Sequence, residues 1–179
     1  MGLIAKILNS VLKNKSKDNP FDLWRKDCWE VSGPKDFPSF FRGLIGFLPE
    51  GAIMRFESGC PSGELATFFA SNSIPEKIPI PKGTIWPKPQ VFNVPATDQN
   101  LLELSELTEK YAEPEVAIHF HIYLNDYVLI GWHDAFLFDD PMYVSKKIPE
   151  DKIAIFCDSL SMTYKEHLGN VEPVISADR

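Results

Sequence analysis

The stretch Ala117–Asp134 constrains the fold more than any other part of the chain, because it has the pattern of two strands joined by a tight turn. Residues alternate between two faces over Ala117–Leu124, and one of those faces is apolar throughout, which predicts a strand. Asn125 and Asp126 favour turns, and they separate this run from a second β-rich run. We therefore predict an antiparallel β-hairpin in the C-terminal half of the chain.

The register of this hairpin decides which side chains share its polar face. If the loop consists of two residues, His119 pairs with Trp132. The same register places His121 opposite Ile130 and brings Asp134 onto the face of the two histidines. The hairpin is therefore predicted to gather two imidazoles and one carboxylate on one surface.

His119, His121 and Asp134 form a set of the kind that holds Fe(II) or Zn(II) with positions left open. The two histidines are two residues apart on a strand, so their Cα atoms are about 6.6–6.8 Å apart and both rings can reach one ion. His133 points to the opposite face, but a one-residue slip would exchange it with Asp134. The alternatives are structural histidines that form hydrogen bonds under a loop or helix, and histidines that contact another ligand or a partner. We predict no cofactor, with a divalent metal ion at this set as the alternative.

Helical and strand patterns alternate along residues 21–168. Helices are predicted to start near Asp36, Ser62, Thr97 and Pro149, from capping residues followed by apolar residues three and four apart. Strands are predicted at 29–31, 52–57 and 142–145, in addition to the hairpin, and extended, edge-like segments at 84–86 and 90–94. This order predicts a single α+β domain with a mixed or antiparallel sheet covered by helices. Residues 169–179 are predicted to be a mobile tail.

Residues 1–17 predict a separate basic arm containing an N-terminal amphipathic helix. Its lysines lie away from an apolar stripe that includes Leu3, Ile4, Ile7 and Leu8. Such a helix can bind an anionic membrane surface through its apolar face. The alternatives are that it docks on the core, on a partner subunit or on nothing ordered.

Six prolines between Ile74 and Pro95 argue against a helix and against a central strand in that segment. Proline-rich chain keeps its shape without an ordering cost, so it suits recognition of a partner. The alternative is that the prolines make this segment a protected edge of the sheet. The residues of the candidate partner-binding ridge are Trp86, Pro87, Lys88 and Pro89.

The three cysteines, Cys28, Cys60 and Cys157, have no metal-type or disulfide-type spacing, which is typical of reduced thiols in a cytosolic protein. Cys60 precedes Pro61 at the predicted start of a helix, where the dipole lowers a thiol pKa. It is therefore a weak candidate nucleophile, with a histidine as base. The alternative is a buried cysteine in a strand–helix turn.

The formal charge of the 179 residues is −7, and the four lysines of residues 1–17 leave −11 on the remainder. An acidic body disfavours nucleic acid and favours a basic protein as partner. Together with the lack of a strong catalytic motif, this charge predicts a non-catalytic, cytoplasmic protein-binding module, such as an inhibitor or an immunity-type protein. The alternatives are a small metal-dependent enzyme and a membrane-peripheral adaptor. The sequence does not determine the oligomeric state.

Overall fold

The computed structural model of the protein describes residues 22–76, 90–112, 114–136 and 140–169. Three predictions fall outside these ranges. They concern the N-terminal helix with Leu3, Ile4, Ile7 and Leu8, the ridge from Trp86 to Pro89, and the tail from residue 170 onward.

The described ranges contain four α-helices, which we label α1 (Phe37–Gly43), α2 (Gly63–Asn72), α3 (Asp98–Leu107) and α4 (Glu150–Ser159). They also contain strands β1 (Cys28–Val31), β2 (Ile53–Glu57), β3 (Val91–Pro95), β4 (His119–Leu124), β5 (Tyr127–Trp132), β6 (Met142–Ser145) and β7 (Tyr164–His167). A short 3₁₀ helix covers Leu23–Arg25. Within these ranges, none of the helices has the length and apolar character needed to cross a bilayer.

Two helix starts follow the capping rule from which they were predicted. The Asp36 carboxylate accepts the backbone N–H of Ser39 at 3.1 Å, and the Thr97 hydroxyl accepts that of Asn100 at 3.2 Å. Each bond satisfies a donor that the first helical turn leaves without a partner. The first helix ends at Gly43, earlier than its apolar pattern suggests, and the chain continues through turns to Gly46, whose φ of +74° is incompatible with a helix.

The described strands form one antiparallel sheet in the order β3-β2-β4-β5-β6-β1-β7. The α+β prediction is therefore confirmed, in its antiparallel form. Strand β7 at the edge was not predicted. The β-hairpin occupies the middle of the sheet, where β4 pairs with β2 on one side and β5 pairs with β6 on the other.

The helices pack on one face of the sheet and form the main core with it. Phe40 of α1 contacts Phe120 and Trp132 of the hairpin, with ring centres 6.3 and 5.7 Å apart. Phe69 of α2 contacts Phe56 of β2 at 5.0 Å. Because side chains alternate along a strand, the neighbours of these aromatics point to the opposite face, which carries the polar residues of the hairpin.

A smaller apolar cluster lies on that second face. It consists of Leu23, Ile53, Tyr123 and Val128, with Ile74 and Tyr143 packed against it. Leu23 comes from the 3₁₀ helix, which contacts β5, β6 and β1. The 3₁₀ helix therefore covers part of the second face.

Candidate functional site

The register of the hairpin changes halfway along it. Near the turn, Tyr123 lies opposite Val128, as predicted. Beyond a β-bulge the register moves by one residue, so that His121 lies opposite Gly131 instead of Ile130. The prediction that His121 faces Ile130 and that His119 faces Trp132 is therefore wrong, because one extra residue is inserted in β5.

The shifted register brings three histidines together on the second face. The ring centres of His119 and His133 are 5.3 Å apart, and those of His121 and His133 are 5.5 Å apart. His121 is 3% exposed, whereas the other two are half-buried. The structure therefore has the one-residue slip that places His133, instead of Asp134, on the face of the other histidines.

Asp134 occupies a different place from the one predicted. It follows the end of β5, is exposed, and has a φ of +48°. Aspartate tolerates this left-handed conformation, which suits the turn that the chain makes there. The carboxylate is therefore a feature of the turn, and the place predicted for it among the histidines belongs to His133.

Two ring nitrogens in the histidine cluster lack a hydrogen-bond partner within the described ranges. They are Nδ1 of His119 and Nε2 of His133, and both atoms are buried. Buried polar atoms are normally hydrogen-bonded, since leaving one without a partner costs about 1–3 kcal/mol. Imidazole nitrogens in this state are available to bind a ligand.

The environment keeps His121 and His133 uncharged. Burial lowers the pKa of His121 well below its usual value of 6.5, and the nearby His133, Arg55 and His119 lower it further. Burial and His119 also lower the pKa of His133. Three carboxylates act on His133 in the opposite direction: Asp22, Asp134 and Glu57. At neutral pH, His121 and His133 are therefore neutral imidazoles, which is the form that binds metals.

An ion-pair network around the buried Arg55 of β2 borders the histidines. Arg55 is 1% exposed and lies opposite His121 in the sheet. Its guanidinium forms salt bridges with Glu57 and with Glu76. Two carboxylates around one arginine offset the cost of burying its charge. Asn93 lies opposite Arg55 on β3, and its Oδ1 accepts a hydrogen bond from the Tyr123 hydroxyl at 3.2 Å.

Cys60 lies in the loop between β2 and α2 and is exposed, in contrast to the buried alternative. Its backbone N–H donates to the carbonyl of Pro114 at 2.9 Å. Gly59 makes this approach of the two loops feasible, because a Cβ there would lie 2.6 Å from the carbonyl oxygen of Val116. The nucleophile role of Cys60 stays a prediction.

The described part of the chain contains no group of three or more His, Cys, Asp or Glu side chains placed so that it could hold a metal ion as it stands. The separations of the His133 ring from those of His119 and His121, 5.3 and 5.5 Å, are nevertheless close to the separation of two imidazoles on one ion. Two imidazoles on one tetrahedral zinc have ring centres about 5 Å apart, since each Zn–N bond is about 2.0–2.1 Å.

Sequence reasoning missed three members of this site. Under the predicted register His133 was assigned to the wrong face, and Arg55 and Glu57 were treated only as strand residues. Because Arg55 and Glu57 are two residues apart on β2, the strand pattern did place these two side chains on one face. Nothing local indicated that this face would lie beside the hairpin, because the β2/β4 pairing joins residues more than 60 positions apart.

Comparisons with protein-family models, with curated proteins and with solved structures find no match.

Proposed function

We propose that the protein binds a transition-metal ion, with Zn²⁺ as the first candidate, through His119, His121 and His133. The observation that carries this proposal is the approach of three imidazoles. The ring centre of His133 is 5.3 Å from that of His119 and 5.5 Å from that of His121. Three imidazoles are an established ligand set for zinc.

The unpaired nitrogens support the same conclusion. A purely structural cluster should place hydrogen-bond partners at Nδ1 of His119 and Nε2 of His133, yet both are buried without one among the described residues. Rotation about χ2, which has a broad energy minimum in histidine, can change the direction in which these nitrogens point. Strand β4 fixes the backbone positions of His119 and His121, and His133 directly follows the end of β5.

The test is an equilibrium titration of the metal-free, full-length protein with Zn²⁺ in competition with a coloured chelator. We expect one tightly bound zinc ion per chain. A His119→Ala/His133→Ala variant should bind it at least 100-fold more weakly, with circular dichroism and the urea midpoint confirming that it is folded. A His133→Asn variant, which is closer in size to the native residue, should show a smaller loss in the same direction.

His167 provides the matched control, because it is the remaining histidine of the chain. It lies on edge strand β7, with Nε2 at 2.8 Å from the Trp24 carbonyl and Nδ1 at 3.4 Å from Glu30. A His167→Ala variant should bind zinc as the native protein does. Absence of stoichiometric zinc in the native protein, or an equal loss in the His167 variant, would contradict the proposal.

A second candidate function, binding of a basic protein, is favoured by a groove between α2 and α3. The groove has a volume of about 780 Å³, and its lining includes Glu64, Glu103 and Glu106. Lys110, also in the lining, pairs with Glu64 at 2.9 Å, which leaves Glu103 and Glu106 as the acidic groups facing a partner. Phe68 and Leu107 form part of its floor. Together with the formal charge of −7, this acidic lining suits a basic partner with an apolar face.

Charge reversal tests this second candidate. We expect the native protein to capture a basic partner that salt releases, and a Glu103→Lys/Glu106→Lys variant to lose it. Direct titration with the purified partner should then show at least tenfold weaker binding by the variant. Equal binding by both proteins would exclude the groove as the interface.

A further inference from the structure

Glu57 faces the histidine cluster from the neighbouring strand. Its Cα lies directly opposite that of His119 in the pairing of β2 with β4. Residues opposed in this way have Cβ atoms about 4.5–5.5 Å apart and point to the same face of the sheet. The Glu57 side chain is 19% exposed, so its carboxylate is largely withdrawn from water.

Arg55 holds this carboxylate in a defined orientation. Its Nε and Nη2 donate to Oε2 of Glu57 at 3.4 and 3.1 Å. Both hydrogen bonds end on the same oxygen, so they leave Oε1 for another partner. Ligands of metal ions are typically oriented by such outer hydrogen bonds, and an arginine that is 1% exposed is a rigid source of them.

We propose that Glu57 Oε1 is the fourth ligand of the ion, so that three imidazoles and one carboxylate enclose it. This inference rests on the proposed metal-binding function and specifies its coordination. Four protein ligands close a tetrahedral site, whereas a site that activates water keeps one position open. A closed site with nitrogen and oxygen ligands binds the ion and leaves no position for a water molecule or a substrate.

Two other carboxylates near the cluster are poorer candidates. Asp22 is paired with Arg25 of the 3₁₀ helix at 3.3 Å. Asp134 is exposed and belongs to the turn after β5. Glu57 alone among these three lies on a strand that is paired directly with a histidine of the cluster.

Cobalt(II) is the probe for the test, because its visible absorption reports the number and type of its ligands. The variants are Glu57→Gln and, as the matched control, Glu76→Gln. Each removes one of the two carboxylates that pair with Arg55, so the loss of charge is the same. We expect Glu57→Gln to weaken Co²⁺ binding at least tenfold and to change the absorption spectrum. Glu76→Gln should keep the native spectrum, with an affinity within about threefold of native.

The outcomes separate this inference from the proposed function. If the native protein binds Co²⁺ and the two glutamine variants have the same affinity and spectrum, Glu57 is not a ligand and the three-histidine proposal stands. A loss with Asp22→Asn instead of Glu57→Gln would also overturn the inference. If the native protein takes up no Co²⁺, both proposals fail. Should Glu57→Gln prove unfolded, Glu57→Asp, which keeps the charge beside Arg55 but shortens the side chain, is expected to show the same spectral change.

Discussion

Gly131 lies directly opposite His121 across strands β4 and β5. Because glycine has no side chain, the neighbouring position on the second face is open, and the rings of His121 and His133 come within 5.5 Å of each other. The bulge in β5 creates this pairing. Without it, Ile130 would face His121 and His133 would point into the core.

Filling the position of Gly131 should therefore disturb the histidine cluster. Valine is well suited to a strand, but its side chain would compete with the imidazoles for space. We expect Gly131→Val to weaken zinc binding at least tenfold, by the same chelator competition, because the ligands can no longer approach one ion. Native affinity in a folded Gly131→Val protein would show that the open position is irrelevant to binding.

The cysteines should differ sharply in reactivity. Burial raises the pKa of both Cys28 and Cys157 to about 11, whereas Cys60 is exposed. The thiolate is the reactive form, so a disulfide reagent at pH 8 should titrate one thiol per native chain and three after denaturation. Cys60→Ser should abolish the fast reaction of the native protein. Rapid reaction of a second thiol in the native chain would contradict the burial of Cys28 and Cys157.

The aromatic core should be the main source of stability. Phe40 is fully buried and contacts four aromatic rings, those of Phe41, Phe120, Trp132 and Phe156. We expect Phe40→Ala to lower the free energy of unfolding by about 3–5 kcal/mol in urea denaturation. Leu102 is 48% exposed, so Leu102→Ala should cost less than about 1 kcal/mol. Similar losses for the two variants would mean that α1 does not pack as described.

An ion pair at the edge of the sheet should make part of the stability depend on pH. A hydrogen bond from Lys165, at 2.8 Å, holds the pKa of Glu30 below its usual value of 4.5, and His167 adds to this effect. A carboxyl whose pKa is lower in the folded state stabilises the protein above its unfolded pKa and loses that contribution as the pH falls through the folded pKa. We expect Glu30→Gln to be less stable than the native protein at pH 7, with a smaller difference at pH 3, as measured by urea denaturation. A stability difference that is the same at both pH values would contradict this ion pair.

The fold was largely predictable because its elements have strong local signals. Alternation identified the hairpin, and capping residues such as Asp36 and Thr97 located helix starts that the structure confirms. Strand β7 was missed, because its central residues Lys165 and Glu166 are exposed and give no apolar pattern. Edge strands commonly lack that pattern, since neither face has to be fully buried.

The site was predictable only up to the bulge. Val128, Leu129 and Ile130 are all apolar and all buried, so periodicity cannot identify which of them is the inserted residue. That choice depends on how the main core and the smaller cluster on the second face divide these side chains between them. Because the period of a strand is two, this one residue decides whether Asp134 or His133 joins the other histidines.

The most direct test of the metal proposal is a crystal structure of the full-length protein with Zn²⁺, with anomalous data collected on both sides of the zinc absorption edge. We expect one edge-dependent peak per chain between His119, His121 and His133, with Zn–N distances of about 2.0–2.1 Å. A peak only at His167 or at the protein surface, or no peak at all in crystals grown with stoichiometric zinc, would contradict a metal site at the histidine cluster.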